Sequence, residues 1–163
     1  MENKPNKIIW HHTGDPSTAP QAEKINESHE SRGFPQSTLG FYGGYHYLIE
    51  HDGTLVQYRN EAEYGAHDAG ENVDSLGIGL AGNFSVTLPT FAQQTAFAAL
   101  LSVLCQKYRI PLAGIEPHRK GDTTECPGKM LKDGWAAMLH GKTEIIRLKN
   151  ILAALQRELE KMV

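Results

Sequence analysis

The chain has 163 residues, of which 40% are hydrophobic and 21% are charged, and its formal net charge is −3. This length is usual for a single domain, and the composition is that of a soluble globular protein rather than a disordered one. The small negative charge argues against a general nucleic-acid binder, because such proteins carry an excess of basic residues. We therefore expect one globular domain with no DNA or RNA partner.

The N-terminal residues 1–7 are polar, and the apolar run that follows, Ile8 to Trp10, is too short for the core of a secretory signal. No apolar stretch has the length of a membrane span. We therefore expect synthesis in the cytoplasm without a signal peptide. Cys105 and Cys126 are expected to stay unpaired, because disulfides are rare in that compartment.

In the first half of the chain, the run from Lys7 to His12 predicts a buried strand whose polar end brings two histidines to the rim of a sheet. Residues 19–32 predict a mostly exposed helix that stops at Gly33. Residues 33–44 are rich in glycine and predict a loop. Residues 44–50 and 54–58 predict two strands joined by a turn at Asp52-Gly53.

In the second half, residues 75–82 alternate larger apolar residues with small ones, which predicts a central strand that another element or a ligand approaches closely. Thr90 and Gln93 fit a helix capping box. The predicted packing face of that helix consists of Phe91, Gln94, Ala98, Leu101, Cys105 and Tyr108. Residues 110–116 then return to the sheet and deliver His118. Because strands and helices alternate, the predicted class is α/β, a single domain with a central mixed β-sheet flanked by helices.

From Gly141 onward the composition predicts a C-terminal amphipathic helix. Its apolar residues follow spacings of 3, 4, 3, 4 and 3, as in a two-stranded seam: Ile145, Leu148, Leu152, Leu155, Leu159 and Met162. Two interpretations stay open. The helix packs back on its own domain, or residues 143–163 form a homo-oligomer.

His11, His118 and Cys126 form a candidate metal site. Zinc favours nitrogen and sulfur ligands, and catalytic zinc sites use three protein ligands and leave a fourth position to water. His118 and Cys126 lie at the two ends of a loop that can bring both side chains to one ion. Spacing alone is weak evidence in a chain with eight histidines. His12 competes with His11, because neighbours on a strand point to opposite faces, and spacing does not choose between them.

Several segments, in this order, resemble the type-2 N-acetylmuramoyl-L-alanine amidases, a family that includes phage endolysins and animal peptidoglycan recognition proteins. The resemblance extends over residues 7–140 and is specific as a combination, although each segment is common. The segments are Ile8 to Thr13, Gly44 to Ile49 with Asp52 to Thr54, Gly65 to His67, Ser75 to Gly79 with Gly82 to Phe84, and His118 with Cys126 to Gly128.

The resemblance implies that residues 1–140 are an amidase catalytic domain, followed by the helix at 141–163. It implies a zinc ion held by His11, His118 and Cys126, which lowers the pKa of bound water to about 7 and polarises the scissile carbonyl. Tyr45 and Thr124 would be the catalytic residues that stabilise the oxyanion. At the position of Thr124 some family members carry lysine and others carry threonine. Because this chain has threonine, it has no positive charge there.

The substrate implied by the resemblance is peptidoglycan or a muropeptide, cut at the amide between N-acetylmuramic acid and L-alanine. His12, His67 and Asn83 match positions near the family's cleft and are expected to contact substrate. The loop from Gly33 to Gly43 departs from the usual pattern and affects the shape of the cleft. Three further histidines have no pattern behind them and are expected at the surface: His29, His51 and His140.

Several functions remain open at this point. The first is an endolysin that is released through a holin and acts on the cell wall. The second is an intracellular amidase that recycles soluble muropeptides. The third is a binding module that recognises peptidoglycan without cutting it, although the retained ligands and Tyr45 argue against it. The fourth is a scaffold organised by the C-terminal helix, which would leave the polar site residues without a role.

Overall fold

The computed structural model of the chain describes residues 2–120 and 123–160. Residues 121–122 of the predicted polar loop and Met162 of the predicted seam lie outside this range. In chain order the strands and α-helices are β1 (Lys7–His12), α1 (Ala22–Ser31), β2 (Tyr47–Ile49), β3 (Leu55–Gln57), β4 (Ser75–Leu80), α2 (Phe91–Tyr108), β5 (Ile115–Pro117) and α3 (Trp135–Glu160).

The strands form one mixed sheet in the order β3-β2-β4-β1-β5. β1 is parallel to both of its neighbours, β4 and β5, and β4 is also parallel to β2. β3 pairs antiparallel with β2, which confirms the predicted hairpin, and Gly53 in its turn has a φ of 88°. The predicted α/β class with a central mixed sheet is therefore confirmed.

One face of the sheet packs against α2 and α3. Trp10 of β1 points into this layer, with its ring centroid 6.3 Å from that of Phe97 in α2 and 5.3 Å from that of Trp135 in α3. The larger residues of β4 are completely buried in the same layer: Leu76, Ile78 and Leu80. Since side chains alternate along a strand, the small residues of β4 face the other side of the sheet.

Helix α2 begins as predicted, and three residues of its predicted packing face are buried: Ala98, Leu101 and Cys105. Its capping box is complete, because Thr90 Oγ1 accepts the backbone N–H of Gln93 and the Gln93 side chain accepts that of Thr90. Gln93 is buried, and its amide donates to the carbonyls of Ile49 and Ala81. Phe91 precedes Gln93 by two residues, a rotation of about 200° that places it on nearly the opposite side of the helix. It is 85% exposed, so its predicted place on the packing face is wrong.

Helix α1 is a short, exposed helix with no buried residue, as predicted, although it begins at Ala22 rather than at residue 19. Glu50, which follows β2, is buried and holds the start of this helix. Its Oε1 accepts the backbone N–H of Gln21 at 2.8 Å and of Ala22 at 2.7 Å. A carboxylate at this position also interacts favourably with the positive end of the helix dipole.

Helix α3 confirms the predicted C-terminal helix but starts at Trp135, ahead of the predicted change at Gly141. Its first turns pack on the domain, where Ala136 and His140 are buried. The seam residues that follow are 55–63% exposed: Ile145, Leu148, Leu152, Leu155 and Leu159. Within the described residues, the seam therefore does not pack back on its own domain. The division into residues 1–140 and 141–163 stays a prediction.

Cys105 and Cys126 are both free thiols, as expected from the sequence. His140 lies in α3 and is buried, so its predicted surface position is wrong. Among the described residues, none of the helices combines the length and the apolar character that crossing a membrane requires.

We expect Thr90→Ala to lower the free energy of unfolding by about 1 kcal/mol, because it removes the hydroxyl that caps α2. Urea denaturation followed by circular dichroism measures the change. Thr95→Ala is the matched control, since Thr95 lies exposed in the second turn of the same helix. Equal stability of the two variants would contradict a stabilising role for the cap.

Candidate active site

The side chains of His11, His118 and Cys126 meet at one edge of the sheet. One ligand atom from each residue lies within 4.8 Å of those of the other two. His11 comes from β1, His118 directly follows β5, and Cys126 lies at the far end of the loop after His118. The backbone N–H of Arg119 donates to the carbonyl of Cys126 at 3.0 Å, which ties the two ends of that loop together. The structure thus brings the three predicted ligands into one cluster.

His11, rather than His12, belongs to this cluster. His11 is 1% exposed, and its Nδ1 lies 3.8 Å from Cys126 Sγ. The ring of His12 points away, and its Nδ1 accepts the backbone N–H of Phe84 at 3.0 Å. The backbone N–H of His12 donates to Cys126 Sγ at 3.4 Å. His12 therefore supports the cysteine through its backbone, and the alternation of side chains along β1 decides between the two histidines.

Asp68 is a member of the site that the sequence analysis missed. It is buried, and its Oδ1 lies 3.7 Å from His118 Nε2. Carboxylates that hydrogen-bond to a metal-binding imidazole commonly orient it, and Asp68 lies just beyond hydrogen-bond distance of His118. The side-chain oxygen of Asn72 accepts the backbone N–H of both His67 and Asp68 and so holds this turn. In the sequence, the only sign of this role is that an acidic residue directly follows His67. That sign can be interpreted only when the structure shows Asp68 close to His118.

Tyr45 lies against the cluster, with its ring centroid 5.1 Å from that of His11. It fits there because β4 has glycine beneath it. A Cβ at Gly79 would come within 2.9 Å of the Tyr45 ring. Burial, together with the neighbouring Cys126, raises the pKa of the Tyr45 hydroxyl. The hydroxyl therefore stays protonated and able to donate a hydrogen bond throughout the pH range in which proteins are folded.

Thr124 is half-buried in the loop just before the cysteine. Its Oγ1 accepts the backbone N–H of Cys126 at 3.2 Å. With its oxygen in this bond, the hydroxyl proton of Thr124 remains available for a second partner. Thr124 thus shapes the turn that presents Cys126.

The other predicted substrate contacts have local partners in the structure. His67 Nδ1 lies 3.1 Å from His11 Nε2. Asn83 Oδ1 accepts the backbone N–H of Ser85 at 3.0 Å, so this side chain stabilises the turn that follows β4.

A cleft of about 260 Å³ opens beside α1, and Tyr45, whose ring contacts His11, forms part of its wall. His29 also lines this cleft and is half-buried, so it is less exposed than a freely solvated surface residue. Its Nδ1 accepts the backbone N–H of Gly44 at 2.8 Å, and its ring stacks on Phe34. Burial lowers the pKa of His29 to about 4, so the ring is neutral at pH 7. The remaining lining residues are Thr13, Asp15, Gln21, Lys24, Ile25, Ser28 and Arg32.

The profile of one protein family, described as N-acetylmuramoyl-L-alanine amidase, matches residues 1–129. The chain belongs to the N-acetylmuramoyl-L-alanine amidase family. This confirms the family that the sequence motifs indicated. The matched range contains all three members of the cluster as well as Tyr45 and Thr124.

Known members similar to this amidase-family chain include enzymes and recognition proteins. The solved structure of N-acetylmuramoyl-L-alanine amidase LysC from Clostridium intestinale has 35% identity and a TM-score of 0.72, and the match covers 87% of each chain. The endolysin of Escherichia phage T7 is 34% identical over 56% of this chain and 63% of its own length. Peptidoglycan-recognition protein SC2 of Drosophila melanogaster is 33% identical over 74% of this chain and 66% of its own length. The chain thus spans about two thirds of the length of these last two relatives.

The cluster of this amidase-family chain fits a zinc ion. Tetrahedral zinc with typical bonds to nitrogen and sulfur would place those two atoms about 3.6 Å apart. The observed distance between His11 Nδ1 and Cys126 Sγ is 3.8 Å. Burial holds the pKa of His11 well below its usual range and raises that of the Cys126 thiol to about 12. The imidazole is therefore neutral and free to bind a cation, and a cation is what would stabilise the thiolate.

We expect Cys126→Ser and His118→Ala to lower the zinc content of the dialysed protein from about one ion per chain toward zero, because each removes one of three ligands. Elemental analysis measures the metal, and the release of stem peptides measures activity, which should fall in parallel. Cys105→Ala is the matched control, because Cys105 is a buried thiol in α2. Full activity in a variant that has lost its metal would refute a role for the cluster in catalysis.

Proposed function

We propose that this chain is a zinc-dependent N-acetylmuramoyl-L-alanine amidase, which hydrolyses the amide between the lactyl group of N-acetylmuramic acid and the L-alanine of the stem peptide. The observation that carries the proposal is the convergence of two imidazoles and one thiol beside Tyr45, a residue that also lines a cleft. Membership of the amidase family and the similarity to phage endolysins support it.

The proposed ligands are His11, His118 and Cys126. When bound there, zinc would supply the Lewis acidity that activates water and polarises the scissile carbonyl. The protein would fix the ligands in advance through the carboxylate of Asp68 beside His118 and the backbone N–H of His12 on Cys126. Such outer contacts orient metal ligands and commonly affect the affinity for metal.

Tyr45 and Thr124 are the proposed catalytic residues of this chain. As the amide carbon becomes tetrahedral, negative charge develops on its oxygen, and a fixed hydrogen-bond donor stabilises that charge. The raised pKa of Tyr45 keeps its hydroxyl in the donor form. Thr124 supplies a second hydroxyl next to Cys126 but no positive charge, so we expect Tyr45 to make the larger contribution.

The proposed substrate is peptidoglycan or a muropeptide bound along the cleft beside α1. Lys24 and Arg32 place two cations on the cleft, although Lys24 is paired with Asp15 at 2.6 Å. Cations at this position suit the carboxylates of a stem peptide. That His12, His67 and Asn83 contact substrate remains a prediction from the sequence.

Action on the bacterial cell wall, as an endolysin, is the proposed biological setting, and recycling of soluble muropeptides is the alternative. Purified sacculi and soluble muropeptides can be digested in parallel, with free L-alanine amino termini as the readout. Release from sacculi would support the endolysin, and release from soluble fragments alone would support recycling. Zinc and substrate binding without release from either would mean that the chain recognises peptidoglycan and does not cut it.

We expect Tyr45→Phe to lower the turnover of sacculi by about a hundredfold, because removing one oxyanion donor typically costs that much. The zinc content should not change, since Tyr45 is not among the proposed ligands. Tyr47→Phe is the matched control, because the Tyr47 hydroxyl bonds to Glu61 rather than to any member of the cluster. If Tyr45→Phe retains wild-type turnover, the proposed role of this hydroxyl is wrong.

We also propose that residues 143–163 mediate self-association through the exposed seam of α3. A leucine gains roughly 1.5–3 kcal/mol when it moves from water into an apolar interface, and the seam presents several. Their spacing is that of a two-stranded coiled coil. The seam covers fewer than three heptads, so we expect a weak dimer that dissociates on dilution.

A variant with Leu148, Leu152 and Leu155 changed to glutamine is expected to be monomeric by light scattering at concentrations where the wild type is a dimer. The substituted residues are 57–61% exposed, so the monomer itself should remain folded. Lys149→Gln, on a neighbouring position of the same helix, should leave the mass of the dimer unchanged. A wild type that is monomeric at millimolar concentration would rule out self-association.

A further inference from the structure

A row of hydrogen bonds leads from His11 away from the ligand cluster. His11 Nε2 lies 3.1 Å from His67 Nδ1, and His67 Nε2 lies 3.3 Å from Ser75 Oγ. The Ser75 hydroxyl in turn bonds to the backbone carbonyl of Glu71 at 2.5 Å. The other nitrogen of His11, Nδ1, faces Cys126 Sγ. The two ring nitrogens of His11 therefore contact different residues.

The carbonyl at the end of this row fixes the direction of every bond in it. A carbonyl can only accept, so the single proton of the Ser75 hydroxyl must point to Glu71. Ser75 Oγ then accepts from His67, which places the proton of neutral His67 on Nε2. His67 Nδ1 is left with a lone pair, and it accepts the proton that His11 carries on Nε2.

We propose that Ser75 and His67 form a positioning relay that holds the proton of His11 on Nε2 and so leaves the Nδ1 lone pair of His11, which faces Cys126 Sγ, available to a metal ion. The relay rests on the proposed function, because it serves the proposed metal site. His67 and Ser75 are positioning residues, since they act through His11. Only an unprotonated ring nitrogen can bind a metal ion, and the bond made by the other nitrogen selects the tautomer.

The ring of His67 is held in place by two glycines. A Cβ at Gly77 in β4 would lie 2.3 Å from His67 Cδ2, and a Cβ at Gly65 would lie equally close to the same atom. Any larger residue at either position would push the ring out of line with His11 and Ser75. The predicted close approach to the small residues of β4 is thus made by His67 at Gly77, as well as by Tyr45 at Gly79.

The neighbouring His46 cannot take part in the relay. Its ring centroid lies 5.9 Å from that of His67. Its Nδ1 accepts the backbone N–H of Gly77 at 3.0 Å, and its Nε2 bonds to the carbonyl of Glu63 at 2.9 Å, so both ring nitrogens have backbone partners.

The tautomers can be read directly by nitrogen NMR of the metal-free protein labelled with ¹⁵N-histidine, near neutral pH. Protonated and unprotonated ring nitrogens have well-separated shifts. We expect His11 and His67 both to carry their protons on Nε2. A proton on Nδ1 of His11 in the metal-free wild type would overturn the proposal.

The second measurement is zinc affinity, obtained by competition with a chelating dye. We expect Ser75→Ala to bind zinc about tenfold more weakly, as is typical when an outer partner of a ligand is lost. Ser37→Ala is the matched control, because Ser37 is another buried serine whose hydroxyl donates to a carbonyl, that of Tyr58. It should bind zinc as the wild type does.

His67 offers a pair of variants that separates the relay from simple packing. His67→Asn keeps an acceptor near the position of Nδ1, whereas His67→Leu has a similar shape and no acceptor. We expect His67→Asn to retain more zinc affinity than His67→Leu. Circular dichroism confirms that each variant is folded before its affinity is compared.

The outcomes distinguish the relay from the proposed function. If the wild type binds zinc and releases stem peptides but Ser75→Ala and His67→Leu bind zinc as tightly as the wild type, the relay is wrong and the amidase stands. If the wild type does not bind zinc, both are wrong. If the wild type binds zinc without releasing stem peptides and the variants bind it more weakly, the relay stands and the amidase activity is wrong.

Discussion

The parallel pairing of β1 with β4 is the constraint on which the site depends. The register places His11 opposite Gly79 and Ile9 opposite Gly77. With no side chain on either glycine, the aromatic rings of Tyr45 and His67 lie directly on the sheet and reach His11 from two sides. The opposite face of the same strands is filled by large apolar residues under α2 and α3. The sheet thus separates a well-packed core from a polar face on which the ligands can converge.

Burial gives this polar face its chemical character. It lowers the pKa of the imidazoles of His11 and His67 and raises that of the Cys126 thiol, so that in the absence of a cation these three groups are neutral. Neutral side chains avoid the free-energy cost of a buried charge, and a neutral imidazole has a lone pair that can bind a metal ion. Asp68 adds a buried carboxylate next to His118. This carboxylate would stabilise positive charge at that side of the site. The proposed amidase chemistry follows from this arrangement, and the helix α1, anchored at Glu50, supplies the wall of the cleft beside it.

Helix α3 has a packed part and an exposed part. Its first residues complete the core around Trp10, and its later residues extend beyond the domain with an exposed apolar seam. The transition occurs within one continuous helix, so the change of composition at Gly141 marks a change of environment along that helix. The packed part stabilises the sheet, and the exposed part is free to interact with a second chain.

The sequence by itself determined the α/β class, the hairpin, the capping box of α2 and the amidase family, because periodicity, turn residues and motifs depend on local order along the chain. It also named the residues that meet in the cluster. Spacing left His11 and His12 as alternatives and the family resemblance pointed to His11, whose ring the structure shows in the cluster. Only the tertiary structure decided that Asp68 lies beside His118 and that Ser75 reaches His11 through His67. The exposure of Phe91 on α2, the place of His29 in the cleft wall and the burial of His140 were also beyond the sequence. Each of these depends on how strands and loops distant in the chain are brought into contact, and on which side chain occupies the limited space between them.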